Sequence, residues 1–380
     1  MTAVFKEIKN SPSFQLITSD QALSEACRQA RTKSTVALDT EFIRIRSYYP
    51  KLGLIQLYDG EEVSLIDPMS ITDFTPFVEL LADQRVMKVL HACSEDLEVF
   101  QHSFNQLPNP LSDTQIMADF LGFGNSTGFA ALIRHYFGLQ LDKGLSRTDW
   151  LKRPLSDKQL QYAAADVWYL LPLYQQMQTA LAQTSWQSAV LFDCVLLAEK
   201  RLEVKAADKA YLNIPNAWRL QPRELMRLKL LAEWRQEEAI KRDLALNFVV
   251  KGENLWLVAK NAPKHNSELL AMGLSPQEVR IHGKRMLHLV EQANKIDEQD
   301  FPPMISRLAD DPRYKKTLKA LQQKLKEITP SDLNSDVISS KRSLESFIKW
   351  VWLKQKDPTQ LPDLMRDWRE PFGKALLDVM

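Results

Sequence analysis

Long apolar runs are missing from this 380-residue chain. No stretch reaches the roughly 18 apolar residues that a helical membrane span needs, so no membrane partner is expected. Cysteine is scarce. Cys27, Cys93 and Cys194 form an odd, widely spaced set with no Cys-x-x-Cys pair, which argues against both a disulfide framework and a zinc site. The opening residues Met1-Thr2-Ala3-Val4-Phe5-Lys6-Glu7 lack the basic-then-apolar layout of a secretory leader. A cytoplasmic protein with reduced thiols is therefore expected. No Gly-x-x-x-x-Gly-Lys-Ser/Thr phosphate loop occurs, which sets aside helicase activity and a nucleotide cofactor. Short-period repeats and low-complexity tracts are absent as well.

What is present is ordinary in bulk and uneven in detail. A hydrophobic content of 45% and a charged content of 26% suit a soluble globular protein, and the length calls for two or three domains. The net charge of +1 hides an asymmetry: residues 1–206 carry 19 Lys and Arg against 24 Asp and Glu, and the remainder 30 against 24. The first part, at −5, favours cations; the rest, at +6, favours a phosphate backbone.

The two parts also differ in texture. Thr35–Asp39, Leu54–Tyr58, Val63–Asp67 and Val86–Leu90 read as strands, with Asp59-Gly60 as a turn. Helical patterns follow at 94–102, 113–121, 128–137 and 156–182, the last opening on the cap signal Ser156-Asp157. Strands first and helices interleaved later predict a mixed α/β sheet covered by helices. Beyond residue 206, Leu-, Lys-, Glu- and Trp-rich helical stretches punctuated by prolines predict two all-α blocks. The expected domains are 1–206, 210–292 and 297–380, with Leu202–Asp208 joining the first two and Asn294–Pro303 dividing the blocks.

Five side chains are the candidates for chemistry. Asp39 and Glu41 lie two apart at the predicted strand end, so both carboxylates share a face. A lone Asp-x-Glu on a strand is ordinarily a solvated edge, but Asp39 closes an apolar run and so stands beside a core, where an ionised group needs a partner. Asp96 falls in the first turn of a helix, where the dipole alone favours a carboxylate; Glu95 and Glu98 are its competitors. Tyr162 and Asp166 stand at i and i+4, on one helix face, and the tyrosine hydroxyl could hold a water in the cavity that Asp166 faces. His91 closes a predicted strand and could bond a carboxylate or a substrate, or be a satisfied structural histidine. If the fold gathers the four acids, they make a hard oxygen cage for divalent cations.

The joint order of these residues resembles the DEDD exonuclease superfamily in its tyrosine-bearing branch. Asp39-Thr40-Glu41 matches the first motif, Asp96 the second, and Tyr162 with Asp166 the third. The flanks Gln56, Arg147-Thr148-Asp149-Trp150 and Arg153-Pro154-Leu155 are similar to those of the ribonuclease D family. Glu224–Lys229 and Leu231–Arg235 resemble the HRDC module, a small helical bundle in which Trp234 and the leucines would be core. Residues 297–380 resemble a second, more degenerate copy. The resemblance implies a ribonuclease H-like mixed-sheet exonuclease domain followed by two HRDC-like domains.

The same resemblance implies a monomeric 3′–5′ exoribonuclease that releases 5′ nucleoside monophosphates from tRNA precursors and other structured RNAs with 3′ tails. Two Mg²⁺ or Mn²⁺ ions would be held by Asp39, Glu41, Asp96 and Asp166, with Asp39 bridging and Asp96 acting partly through water. Tyr162 would orient the attacking water, Phe42 would pack on the terminal base, and His91 would meet substrate. Cys93 is expected to be a small buried residue. Arg44, Arg46, Lys143, Arg147, Lys152 and Arg153 are candidate phosphate contacts. The competing readings are a 3′–5′ DNA exonuclease and an RNA-binding scaffold without catalysis.

Overall fold

The computed structural model describes residues 12–141, 144, 148–203 and 206–380, in two compact units. The first unit comprises the described residues up to Ile43, those of Pro50–Leu202, and Arg313–Met380; the second comprises Arg44–Tyr49 and those of Glu203–Pro312.

The first unit is built on a six-stranded sheet: β1 (Phe14–Ile17), β2 (Thr35–Ile43), β3 (Lys51–Tyr58), β4 (Val63–Ile66), β5 (Met87–Leu90) and β6 (Leu111–Asp113). Their order across the sheet is β1-β4-β3-β2-β5-β6. β2, β3 and β4 form an antiparallel meander, while β1 joins β4, β5 joins β2 and β6 joins β5 in parallel. This is the mixed sheet expected from the strand pattern, with two additions. β1 and β6 are edge strands of four and three residues, too short for alternation to mark them.

The helices of this sheet domain are α1 (Asp20–Ala30), α2 (Thr75–Ala82), α3 (Ser94–Phe104), α4 (Thr114–Phe120), α5 (Phe129–Phe137), α6 (Asp157–Leu181) and α7 (Gln187–Leu202). Ser156 does cap α6: its hydroxyl accepts from the Gln159 N–H, and the Gln159 side chain accepts from the Ser156 N–H, closing a capping box. α6 then buries Ala163, Ala164, Val167, Leu170, Leu171 and Leu173 as it packs on β2, β3 and β4. β2 runs four residues further than the expected strand, so Asp39 and Glu41 lie inside it rather than at its end. The antiparallel ladder to β3 sustains the extension as far as Ile43↔Lys51.

Residues 313–380 supply α13 (Tyr314–Ile328), α14 (Ser335–Ile338), α15 (Lys341–Trp352) and α16 (Glu370–Leu377), numbered after the five helices of the second unit. They pack into the first unit instead of standing alone. The Arg369 guanidinium grips the Asp193 carboxylate on α7 at 2.5 and 2.7 Å. The Trp368 ring meets Phe120 at 5.2 Å and Trp186 at 5.8 Å.

The second unit contains α8 (Pro222–Arg242), α9 (Leu246–Val249), α10 (Gly252–Asn261), α11 (Asn266–Ala271) and α12 (Pro276–Asn294). Leu225, Leu228, Leu231 and Trp234 lie in its core as expected, and Tyr48 packs against that core. Arg44–Tyr49 belongs here: the Arg46 carbonyl accepts from the Ala245 N–H at 2.7 Å, and Asp243 accepts from the Tyr49 N–H at 3.0 Å. Among the described residues, no helix is long and apolar enough to cross a membrane.

Candidate active site

The β2–β5 ladder stops at Ala37↔Val89. Beyond it, β2 continues without a strand neighbour on that side, and α3 packs there instead. The corner from β5 into α3 is tight, with Ala92 at φ 54°, a left-handed conformation a non-glycine residue adopts only under constraint. Asp113 supplies that constraint by accepting from the N–H groups of Ala92 and Cys93, both at 2.9 Å. α3 thereby delivers Asp96 to β2, where the Thr40 hydroxyl donates to its carboxylate. The competitors are placed elsewhere: Glu95 is exposed, and Glu98 pairs with Arg201 at 2.7 Å.

From the α6 side, Tyr162 stands one turn from Asp166, its hydroxyl near enough to lower the Asp166 carboxyl. The Trp150 ring braces Tyr162 at a centroid distance of 6.2 Å. Trp150 reaches this place because residue 53 is glycine; a Cβ there would meet the Trp150 carbonyl at 2.7 Å. A cleft of about 530 Å³ opens beside α6, lined by Lys158, Gln161, Tyr162, Asp166 and Tyr169 among others.

The four acids lie in one another's fields. Burial first, and then the Asp166 charge, push the Asp39 carboxyl up to about 8. Burial pushes Glu41 up to about 10, with Asp39, Asp166 and Asp96 adding to it. Burial and the charge of Asp39 hold Asp96 well above the usual carboxylate range, against the Thr40 bond, which lowers it. Burial raises Asp166 to about 7, although the nearby Tyr162 hydroxyl opposes the shift. Burial and the surrounding carboxylates also raise the Tyr162 phenol, so it stays protonated at neutral pH.

Glu41 and Asp96 are buried, while Asp39 and Asp166 keep an accessible edge. Four carboxylates that oppose one another's ionisation form an all-oxygen donor set, and such a set fits a hard divalent cation better than zinc. Among the described residues no three His, Cys, Asp or Glu side chains are arranged so as to hold a metal ion.

The remaining expectations divide. Phe42 is half-buried, and the register shift between it and Glu41 places an extra residue, Gly53, on the facing strand β3. His91 meets Thr114 through Nδ1 at 2.9 Å and stacks on Phe129 at 5.4 Å, while its buried Nε2 has no partner. Burial lowers its pKa, and the charge acting on it is that of Asp113. Cys93 is fully buried and its thiol is pushed well above the usual range, mainly by burial.

Arg153 is a structural residue, not a free phosphate contact. It holds Asp67 by two bonds of 2.7 Å and donates to the carbonyls of Gly53 and Trp150 at 2.7 and 2.8 Å. Lys152 is exposed, Lys143 and Arg147 lie outside the described residues, and Arg46 stacks over Phe248 at 5.7 Å in the second unit. Sequence reading passed over Thr40 as a functional residue, although it sits inside the Asp39-Thr40-Glu41 motif.

A mixed sheet carrying these acids on β2, α3 and α6 fits a 3′–5′ exonuclease domain. Family models agree: residues 14–182 match "3′-5′ exonuclease", 224–290 match "HRDC domain", and 312–377 match "Ribonuclease D, C-terminal HRDC domain". Ribonuclease D of Haemophilus influenzae is 55% identical over 99% of this chain and 95% of its own length. Ribonuclease D of Escherichia coli is 46% identical over 97% of this chain and 98% of its own. The Escherichia coli crystal structure, of an exoribonuclease involved in structured RNA processing, superposes with a TM-score of 0.93 over 97% of this chain and 98% of that one. The chain belongs to the ribonuclease D family and is an exoribonuclease of that type. The family implies a divalent cation and RNA binding.

Proposed function

We propose that this protein removes 5′ nucleoside monophosphates from the 3′ ends of structured RNAs, tRNA precursors foremost, acting as a monomer with two divalent ions and no nucleotide cofactor. The observation that supports this reading is that Asp39, Glu41, Asp96 and Asp166, carried on β2, α3 and α6, act on one another's ionisation, with Tyr162 acting on Asp166. These four acids would hold Mg²⁺ or Mn²⁺, which supplies Lewis-acid activation of water and stabilises charge on the leaving oxygen. Asp39 is raised by Asp166 and raises both Glu41 and Asp96, and it would be among the ligands of any cation the set holds.

Tyr162, protonated, would direct its O–H toward Asp166 and keep its oxygen lone pairs free to accept from the attacking water and orient it. Its raised pKa makes it an orienting group and not a base. Phe42 packs on the terminal base, and the unpartnered Nε2 of His91 meets the substrate. The three modules divide the work: the exonuclease fold cuts, and the two helical modules hold RNA.

The decisive experiment incubates a 3′-tailed, 5′-end-labelled RNA with Mg²⁺, Mn²⁺ or chelator, beside a DNA of the same sequence. The expected result is a ladder shortening from the 3′ end with either metal and none with chelator. Equal or faster DNA cleavage would replace the RNA reading. Full cleavage under chelation would overturn the cation reading.

A further inference from the structure

We infer that Gln56 is a positioning residue for Asp39, its carboxamide holding the Asp39 carboxylate in the orientation that cation binding and hydrolysis require. The inference rests on the role proposed above for Asp39.

Gln56 has no solvent exposure, yet among the described residues neither its Oε1 nor its Nε2 has a hydrogen-bond partner. An amide buried with both ends unpaired is costly, and a leucine would fill the same space without that cost. The register says what the amide is beside. Gln56 stands directly opposite Asp39 in the antiparallel β2–β3 ladder, so the two side chains leave the same face with Cβ atoms about 4.5–5.5 Å apart. On its other flank Gln56 faces Leu65 of β4, which offers nothing polar.

The shared face is the one that α6 covers. Tyr58, two residues further along β3, stacks on Trp168 of α6 at 5.1 Å. Asp166 acts on Asp39 from that same helix. Gln56 therefore lies in the layer between the catalytic strand and the helix bearing the third motif, beside an acid whose own direction matters. The structure shows no Gln56–Asp39 hydrogen bond; an amide does not ionise, so turning its Nε2 onto the Asp39 carboxylate when a cation binds would add no charge to the cluster. Groups that orient a cation's ligands in this way typically change affinity or rate by about 10–100-fold when removed.

The test is Gln56→Leu in the full chain, with three measurements: the thermal midpoint, Mn²⁺ binding to metal-free protein by calorimetry, and steady-state hydrolysis of an end-labelled RNA. The expected result is a midpoint at or above that of the parent, Mn²⁺ affinity weakened about 10-fold, kcat lowered about 10–100-fold and KM for RNA within about twofold. A variant that matches the parent in both Mn²⁺ affinity and kcat would show Gln56 to be packing alone. Should the leucine variant lose its midpoint, Gln56→Met is measured in the same way, and an unchanged kcat there overturns the inference. Failure of the proposed function is separately visible, because the parent protein would then neither bind Mn²⁺ nor shorten RNA.

Discussion

The Thr40 hydroxyl donates to the Asp96 carboxylate and so ties α3 to β2 where β5 no longer pairs with it. Thr40→Val keeps the shape and removes the donor, leaving a buried carboxylate one bond short. Losing such a partner costs about 1–3 kcal/mol. The expected outcome is a lower thermal midpoint and a fall in kcat/KM of about tenfold, with Thr40→Ser close to the parent in both. A valine variant with parental kcat/KM would mean that Asp96 needs no help from β2.

Asp39→Asn and Asp166→Asn separate catalysis from folding. Each removes a charge from a cluster whose members raise one another's pKa, so the metal-free variants should melt no earlier than the parent. Hydrolysis should fall to background while RNA binding persists. Tyr162→Phe should be milder, a loss on the order of 10²-fold in kcat with Mn²⁺ affinity nearly retained. Circular dichroism melts, filter binding and single-turnover assays on the same preparations check all three.

The cluster also sets a direction for stability against pH. Folded pKa values of about 8 for Asp39 and about 7 for Asp166 lie above the ordinary carboxylate value of 3.8. Between pH 4 and 8 the folded chain therefore holds more protons than the unfolded chain, and stability falls as pH rises. Metal-free protein should melt progressively earlier from pH 5 to pH 8. Mg²⁺ or Mn²⁺ should raise the midpoint, more at pH 8 than at pH 6, because binding must displace those protons. A metal-free midpoint that rises over this range would contradict the shared-field account of the four acids.

The local relations within the candidate site were legible in the sequence, whereas joining them into one site rested on the family resemblance. Asp39 with Glu41 at strand alternation and Tyr162 with Asp166 at one helical turn are local relations, and the structure keeps both. Asp96 was harder. Glu95 and Glu98 share its turn, and only the strained corner at Ala92 and the early end of β5 decide which acid meets β2. Arg153 looked like a free cation because its partner, Asp67, lies 86 residues away, a distance no local pattern spans. The strand through Asp39 seemed to end there because charged residues interrupt its apolar run, whereas the β3 ladder carries it on to Ile43. The helical blocks were readable from leucine spacing, but which unit residues 313–380 join depends on contacts such as Trp368 with Phe120.

Those contacts centre on a pair that should be energetically decisive. Arg369 and Asp193 are only 11% and 12% exposed, and the guanidinium also donates to the carbonyls of Val337 and Ile338, both at 2.9 Å. Trp368 Nε1 donates to the same Asp193 carboxylate at 3.1 Å, so one acid serves two donors from the C-terminal block. Asp193→Ala leaves the arginine buried without its counter-charge, a change that costs on the order of 3–5 kcal/mol for a buried pair. Exposed pairs such as Arg28 with Glu25 contribute about 0–1 kcal/mol. Urea unfolding of the full chain should show the large loss for Asp193→Ala and a smaller loss for the apolar double variant Asp193→Leu/Arg369→Met, in which no charge is stranded. If the single variant costs no more than an exposed pair would, residues 313–380 are held by the Phe120, Trp186 and Trp368 rings instead, and Trp368→Ala should then carry the larger effect.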